Sequence, residues 1–166
     1  MAYRNKVYVS MDADNDIRYY YLMKAWKQSD SSSFNFADAH DLNTILDKSE
    51  ASIKAGLQER FRNTKIFVLL VGESTRHLYK YVRWEIEQAI KRRLPCIVVN
   101  LNNKRDRDDY RCPAIIRDEL AVHISFNSSI LQYALEHWPM SDDSYRRQGT
   151  SGAYHYNPSV YSALGL

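Results

Sequence analysis

Hydroxyls and carboxylates recur in this sequence just after its apolar runs. Ser10, Met11 and Asp12 close KVYVS, Asp38 and His40 close FNFA, Ser74 and Thr75 follow IFVLLVG, and Glu85 stands within YVRWEIEQ beside Tyr81. If the apolar runs are strands of one parallel sheet, these side chains converge at its carboxyl ends, where open α/β sheets bind their ligands. Such a cleft would suit glycosyl chemistry. There a carboxylate holds ribose hydroxyls and stabilises an oxocarbenium-like transition state as the leaving base departs. Other machinery is missing from the sequence. It contains no GxxxxGK[ST] loop, no GxGxxG, no GxSxG elbow and no HExxH, and its five glycines are too few for a glycine-rich phosphate cradle.

The elements that must position these residues are readable around Lys65 to Asn103. Ile66 to Val71 is an unbroken apolar run ended by Gly72, as expected of a strand covered on both faces. Pro95 stops the following helix, and Cys96 to Leu101 repeats the pattern, so the stretch reads as a βαβ unit. Leu78, Val82, Ile86, Ala89 and Ile90 form one stripe that must face the sheet, with Glu85 on its border and Trp84 directed nearly opposite. From position alone, Glu85 reads either as a flanking carboxylate paired with a Lys or Arg, or as an acid at the rim of a cleft.

The same reasoning extends outward. Lys6 to Ser10 is a first strand, MDADND supplies caps for a helix over 17–27 whose stripe begins Ile17, Tyr20, Tyr21, and SDSSS is a turn before the strand 34–37. Residues 42–48 are a loop, and Ser49 opens a helix to about Arg62 carrying Ile53, Leu57 and Phe61. Beyond Asn103, KRDRDDYR reads as a solvated loop, Pro113 starts a short helical turn, Val122 to Phe126 is an edge strand, and Ser128 caps a last helix to His137. The order is β-α five times over. Residues 1–138 therefore form the expected domain and 139–166 a tail, whose Tyr145, Tyr154, Tyr156 and Tyr161 imply docking on the domain or on another copy.

Composition bounds the function. With 166 residues, 45% of them hydrophobic, the chain fits one core. Its net charge of +3 is spread among interleaved acids, which argues against nucleic acid as a partner. No run is long enough to span a membrane and the start lacks an apolar signal segment, so a cytoplasmic location is expected. Cys96 and Cys112 have neither metal-ligand nor disulfide context, and no metal is expected.

Taken together, GLQERFRNTKIFVLLVG, YVRWEIEQAIKRRLPCIVVNL, KVYVS and FADAHD make the chain, over roughly residues 5–137, resemble the TIR-like family typified by the sensor subunit of bacterial Thoeris anti-phage systems. The resemblance implies an α/β, flavodoxin-like (TIR-like) three-layer fold with a central parallel five-stranded sheet. It implies cleavage of NAD at the nicotinamide glycosidic bond, with NAD as substrate and no cofactor. The product would be a cyclic or conjugated ADP-ribose signal that activates a separate effector protein. A phage component as trigger and a homo-oligomer on activation belong to the same picture. By the match, Glu85 is the catalytic acid, Ser10, Met11 and Asp12 line the nicotinamide ribose end, and Asp38 and His40 approach the cleft; Ser74 and Tyr81 complete the expected substrate-binding set. Met11 departs from the family, where an aromatic residue is often found. Two other readings fit the same residues: a non-catalytic TIR-type interaction module in which Glu85 is a surface acid and Trp84 and the tail make the contacts, and a nucleoside deoxyribosyltransferase-like enzyme in which Glu85 attacks the sugar.

Overall fold

The computed structural model describes residues 6–29, 34, 36–38, 49–78 and 80–166. In chain order the elements are β1 (Lys6–Ser10), α1 (Ala13–Gln28), β2 (Ala37–Asp38), α2 (Glu50–Arg62), β3 (Ile66–Val71), a 3-10 turn at Thr75–His77, α3 (Tyr81–Lys91), β4 (Cys96–Asn100), α4 (Ala114–Arg117), β5 (Ala121–Ser125), α5 (Ser128–Arg147), β6 (Ala153–His155) and α6 (Pro158–Ala163). The expected parallel five-stranded sheet is present, and β6 extends it to the order β2-β1-β3-β4-β5-β6. The 2-1-3-4-5 part of that order is flavodoxin-like, and the order reverses between β1 and β3, which is where such folds open a ligand crevice.

Alternation along the strands builds the three layers. Val7, Val9, Ile66, Val68, Leu70, Ile97 and Val99 face one side, with Tyr20 and Met23 of α1 and Ile130, Leu131 and Trp138 of α5. Tyr8, Phe67, Leu69, Val71 and Val98 face the other, with Leu57 and Phe61 of α2 and Val82, Ile86 and Ala89 of α3. Both faces are buried, which is why β3 reads as six consecutive apolar residues with no alternation in the sequence.

Several expectations change. Helix α1 starts four residues earlier than its apolar stripe, because Asp12 caps it by accepting from the Asp14 and Asn15 amides. Tyr20 is buried, whereas Tyr21 is 58% exposed. Strand β5 is not an edge, since β6 pairs with it from Ala121 to His123. The last helix does not stop at His137 but continues through Pro139 to Arg147. Beyond the proline, buried Asp142 is held by Arg146 at 2.8 Å, and Arg146 also donates to the Leu94 carbonyl. The tyrosines after 139 dock on their own domain: Tyr154 packs on Trp138 with ring centroids 5.9 Å apart, Tyr156 meets Tyr133 edge-on at 5.1 Å, and Tyr161 is fully buried.

The loop after β4 is also more ordered than a solvated excursion. Asp108 is buried and accepts from Asn102 Nδ2 and from the Tyr110 and Arg111 amides, while Arg107 donates to the Arg117 carbonyl. Among the described residues, no helix is long and apolar enough to cross a membrane.

Candidate active site

Glu85 is the centre of the candidate site, and it lies deeper than its border position implied. The buried residues of α3 are Val82, Glu85, Ile86 and Ala89, so the acid occupies the i+3 place of an i, i+3, i+4, i+7 stripe. It is 5% exposed, because the flank on which it stands is closed by β1 and α2. Ser10, at the end of β1, donates from Oγ to Glu85 Oε1 at 3.1 Å. Oε2 makes no hydrogen bond of standard geometry among the described residues. The Tyr8 phenol lies beside the same carboxyl and is itself fixed by stacking on Phe61, with ring centroids 4.1 Å apart.

Electrostatics follow from that placement. Burial raises the Glu85 carboxyl from 4.5 to about 7, and hydrogen bonding by Tyr8 and Ser10 together with the charge of Arg60 counteracts only part of it. A carboxyl poised near neutrality in a cleft is a common signature of a working acid or base. Tyr8 is raised well above its ordinary value, first by burial and then by the neighbouring Glu85, so it stays a neutral phenol.

The cleft above this pair has a volume of about 420 Å³ and is lined by Met11, Asp12, Ile53, Leu57, Tyr81, Val82 and Glu85, with Lys80 and His77 also contributing. That is within the usual range for small-molecule sites. Its wall is mostly carbon, fitting a flat base or sugar face better than a phosphate. Met11, Asp12, Tyr81 and Glu85 thus meet around one space, and Ser10 reaches it only through its bond to Glu85.

Other expected residues are placed differently. Asp12 lines the cleft but is fully engaged by the chain: Oδ1 accepts from the Asp14 and Asn15 amides, and Oδ2 accepts from Asn15 Nδ2 and Ser74 Oγ, both at 2.7 Å. Burial alone would raise its carboxyl, yet the hydrogen bonds from Asn15, Ser74 and the two amides outweigh burial and hold it below the ordinary value. Ser74 lies behind Asp12, on the wall of a neighbouring polar cleft. Asp38 is in β2, in register with Val7, and His40 lies outside the described residues. Trp84, expected to be an exposed contact patch, is half-buried and meets Phe61 edge-on at 6.1 Å; α2 covers it, not the tail.

Sequence reasoning missed Tyr8, Ile53 and Leu57 as parts of this site. The signal for Tyr8 was present, since in a strand it shares a face with Ser10 two residues on. Nothing local could indicate that α2 would pack across α3. Among the described residues, no group of three His, Cys, Asp or Glu side chains is placed to hold a metal ion.

Comparison with known proteins adds to the geometry. No curated protein matches the chain. The family model described as the Thoeris protein ThsB, TIR-like domain, matches residues 8–106, more than half of the sequence, and the matched span includes Tyr8, Ser10, Asp12, Ser74, Tyr81 and Glu85. With the 2-1-3-4-5 sheet order and the acid at its switch point, this match shows that the chain belongs to the family of the TIR-like domain of the Thoeris protein ThsB.

Proposed function

We propose that this protein cleaves NAD at the nicotinamide glycosidic bond and produces a cyclic or conjugated ADP-ribose messenger for a separate effector in anti-phage defence. The observation that carries this reading is the buried Glu85 carboxyl, fixed by Ser10 at 3.1 Å, at the wall of an apolar cleft where β1 and β3 part.

The chemistry asks little else of the protein. As the bond between the ribose C1′ and the nicotinamide nitrogen breaks, its electron pair leaves with nicotinamide, which becomes neutral, and positive charge develops on the ribose. A carboxylate beside the sugar stabilises that charge and holds the ribose hydroxyls. Ser10 keeps the Glu85 carboxyl oriented at the wall of the cleft, where the ribose is proposed to meet it. Tyr81 and Met11 then offer apolar surface to the nicotinamide ring, and Asp38 and His40 are proposed to approach the cleft from the end of β2. Capture of the ribosyl cation by water or by an internal nucleophile sets the product. Activation by a phage component, with assembly of copies, belongs to the same proposal.

The interaction-module reading assigned its contacts to Trp84 and the tail; Trp84 is half-buried and meets Phe61 edge-on at 6.1 Å. The decisive experiment is incubation of the purified chain with NAD, with and without lysate from phage-infected cells, following nicotinamide and ADP-ribose products by chromatography. Nicotinamide release that requires Glu85 supports the proposal; no release under either condition, with folded protein, sinks it. A covalent sugar trapped on Glu85 would mark the transferase chemistry instead.

A further inference from the structure

The Asp12, Asn15 and Ser74 bridge has a second side. Asn15 Nδ2 donates to Asp12 Oδ2 at 2.7 Å and to Ser74 Oγ at 3.2 Å, and behind these three residues lies a second cleft of about 330 Å³. Asn15, Asp16, Arg18, Gly72, Ser74 and Arg111 line it, and its walls are mostly polar where those of the Glu85 cleft are mostly carbon.

Its most telling group is Asp16. The residue is 7% exposed, and its Oδ2 makes no hydrogen bond among the described residues. Its carboxyl is lodged against Gly72, where an added Cβ would collide with it. Burial, reinforced by the nearby Asp12 charge, raises this carboxyl above its ordinary value. A buried carboxylate without a donor is costly, and its place in the first turn of α1 and the charges of Arg18 and Arg111 offset only part of that cost. On the same wall stand two guanidinium groups with weak partners. Arg111 reaches the exposed Glu73 at 3.4 Å, and the exposed Arg18 donates to the Tyr19 hydroxyl at 3.4 Å.

The buried Asp16 carboxyl beside two guanidinium groups, one of them reaching Glu73 on the same lining, matches a ligand with a vicinal diol and phosphates. The diol donates to the carboxylate, and the phosphate oxygens accept the guanidinium forks. We propose that this polar cleft binds the adenosine diphosphate half of the dinucleotide, leaving the Glu85 cleft to the nicotinamide riboside half. Asp12 lines the first cleft, and its partners Asn15 and Ser74 line the second, so one extended molecule can lie across the bridge. The identity of the ligand rests on the NAD-cleaving reading; the existence of the polar site does not.

The test is calorimetric titration of the full chain with ADP, which lacks the nicotinamide riboside, with Glu85→Gln as the control for any binding in the first cleft. Arg111→Ala and Arg18→Ala should each weaken ADP binding about tenfold or more, as expected for a charge-assisted hydrogen bond, and Asp16→Asn should weaken it several-fold. Glu85→Gln should leave ADP affinity within about twofold. Arg18 is exposed, so its variant folds and remains informative if Asp16→Asn does not. Inorganic pyrophosphate should bind more weakly than ADP, because it lacks the diol. ADP affinity indifferent to both arginine substitutions, pyrophosphate binding as tight as ADP, or no ADP binding would each overturn the proposal. A protein that binds ADP through these residues but never cleaves NAD overturns the enzymatic reading and keeps the site. One that cleaves NAD with KM unchanged by the substitutions overturns the site and keeps the enzyme.

Discussion

Ser10 and Glu85 stand 75 positions apart in the sequence, yet the serine hydroxyl donates to the glutamate Oε1 at 3.1 Å, joining the end of the first strand to the third helix. Burial pushes the Glu85 carboxyl up to about 7, and Ser10 is among the groups that limit the rise. If the ionised carboxylate stabilises the ribosyl cation, kcat/KM for NAD should climb with pH through about 7 and then level off. Ser10→Ala removes one hydrogen bond to the charged form, so its profile should shift to higher pH and its rate at pH 7 should fall by roughly tenfold. Measuring the pH-rate profiles of both proteins checks this, and superimposable curves would remove Ser10 from the mechanism.

Glu85→Gln should separate activity from stability. NAD cleavage is expected to fall by about two orders of magnitude or more, the scale of losing a central electrostatic stabiliser. Stability should move the other way. The carboxyl titrates at 4.5 when unfolded and at about 7 when folded, so the folded state binds the proton more tightly between those values. Wild-type stability therefore declines as pH rises from about 4.5 to 7, and the full cost, about 3 kcal/mol, applies above that window. Glutamine carries no such cost. Its thermal midpoint should exceed that of the wild type by several degrees at pH 8 and match it at pH 4, and a lower midpoint at pH 8 would contradict the electrostatic account.

Gly72 tests how tightly the two clefts are joined. Its amide donates to Thr75 Oγ1 at 2.8 Å, and a Cβ at this position would run into the Asp16 carboxyl. Gly72→Ala must displace Asp16 and should cost about 1–3 kcal/mol, the usual range for overpacking. Chemical denaturation reads this directly; an unaffected midpoint would mean that Asp16 moves freely. Pairing the substitution with Asp16→Ala should recover part of the loss, because the collision is then gone.

The C-terminal segment should behave as part of the folding unit. Tyr161 is fully buried, and its hydroxyl accepts from the Ser125 amide at 3.4 Å while the Arg105 guanidinium lies over its ring at 4.2 Å. Tyr161→Ala should destabilise by about 3 kcal/mol. Tyr161→Phe should cost about 1 kcal/mol, through the lost acceptor. Deleting residues 150–166 strips β6 from β5 and uncovers an unpaired strand edge, so the truncated chain should melt lower and aggregate in light scattering. A truncated chain with an unchanged midpoint would refute the docking role.

The sequence by itself determined the elements whose signals are local. The consecutive apolar residues of β3 and β4, the cap at Ser49 and the stop before Pro95 all depend on neighbours a few positions away, and each appears where those residues place it. Tertiary structure decided the rest, because it turned on surfaces brought from far along the chain. A helical wheel assigns Glu85 to a border and Trp84 to the outer side, but it carries no record of α2, whose Phe61 meets Trp84 and stacks on Tyr8, the neighbour of the Glu85 carboxyl. Strand β5 reads as an edge until β6 returns to pair with it, and α5 passes Pro139 because Asp142 and Arg146 find partners beyond it. Polar residues of one type likewise diverged: Asp12 is saturated by its own chain, whereas Glu85 keeps one oxygen without a standard hydrogen bond among the described residues. Which of two acids is saturated by its own chain and which keeps an oxygen without a standard donor depends on where donors from distant strands and helices come to rest, and only the folded chain fixes that.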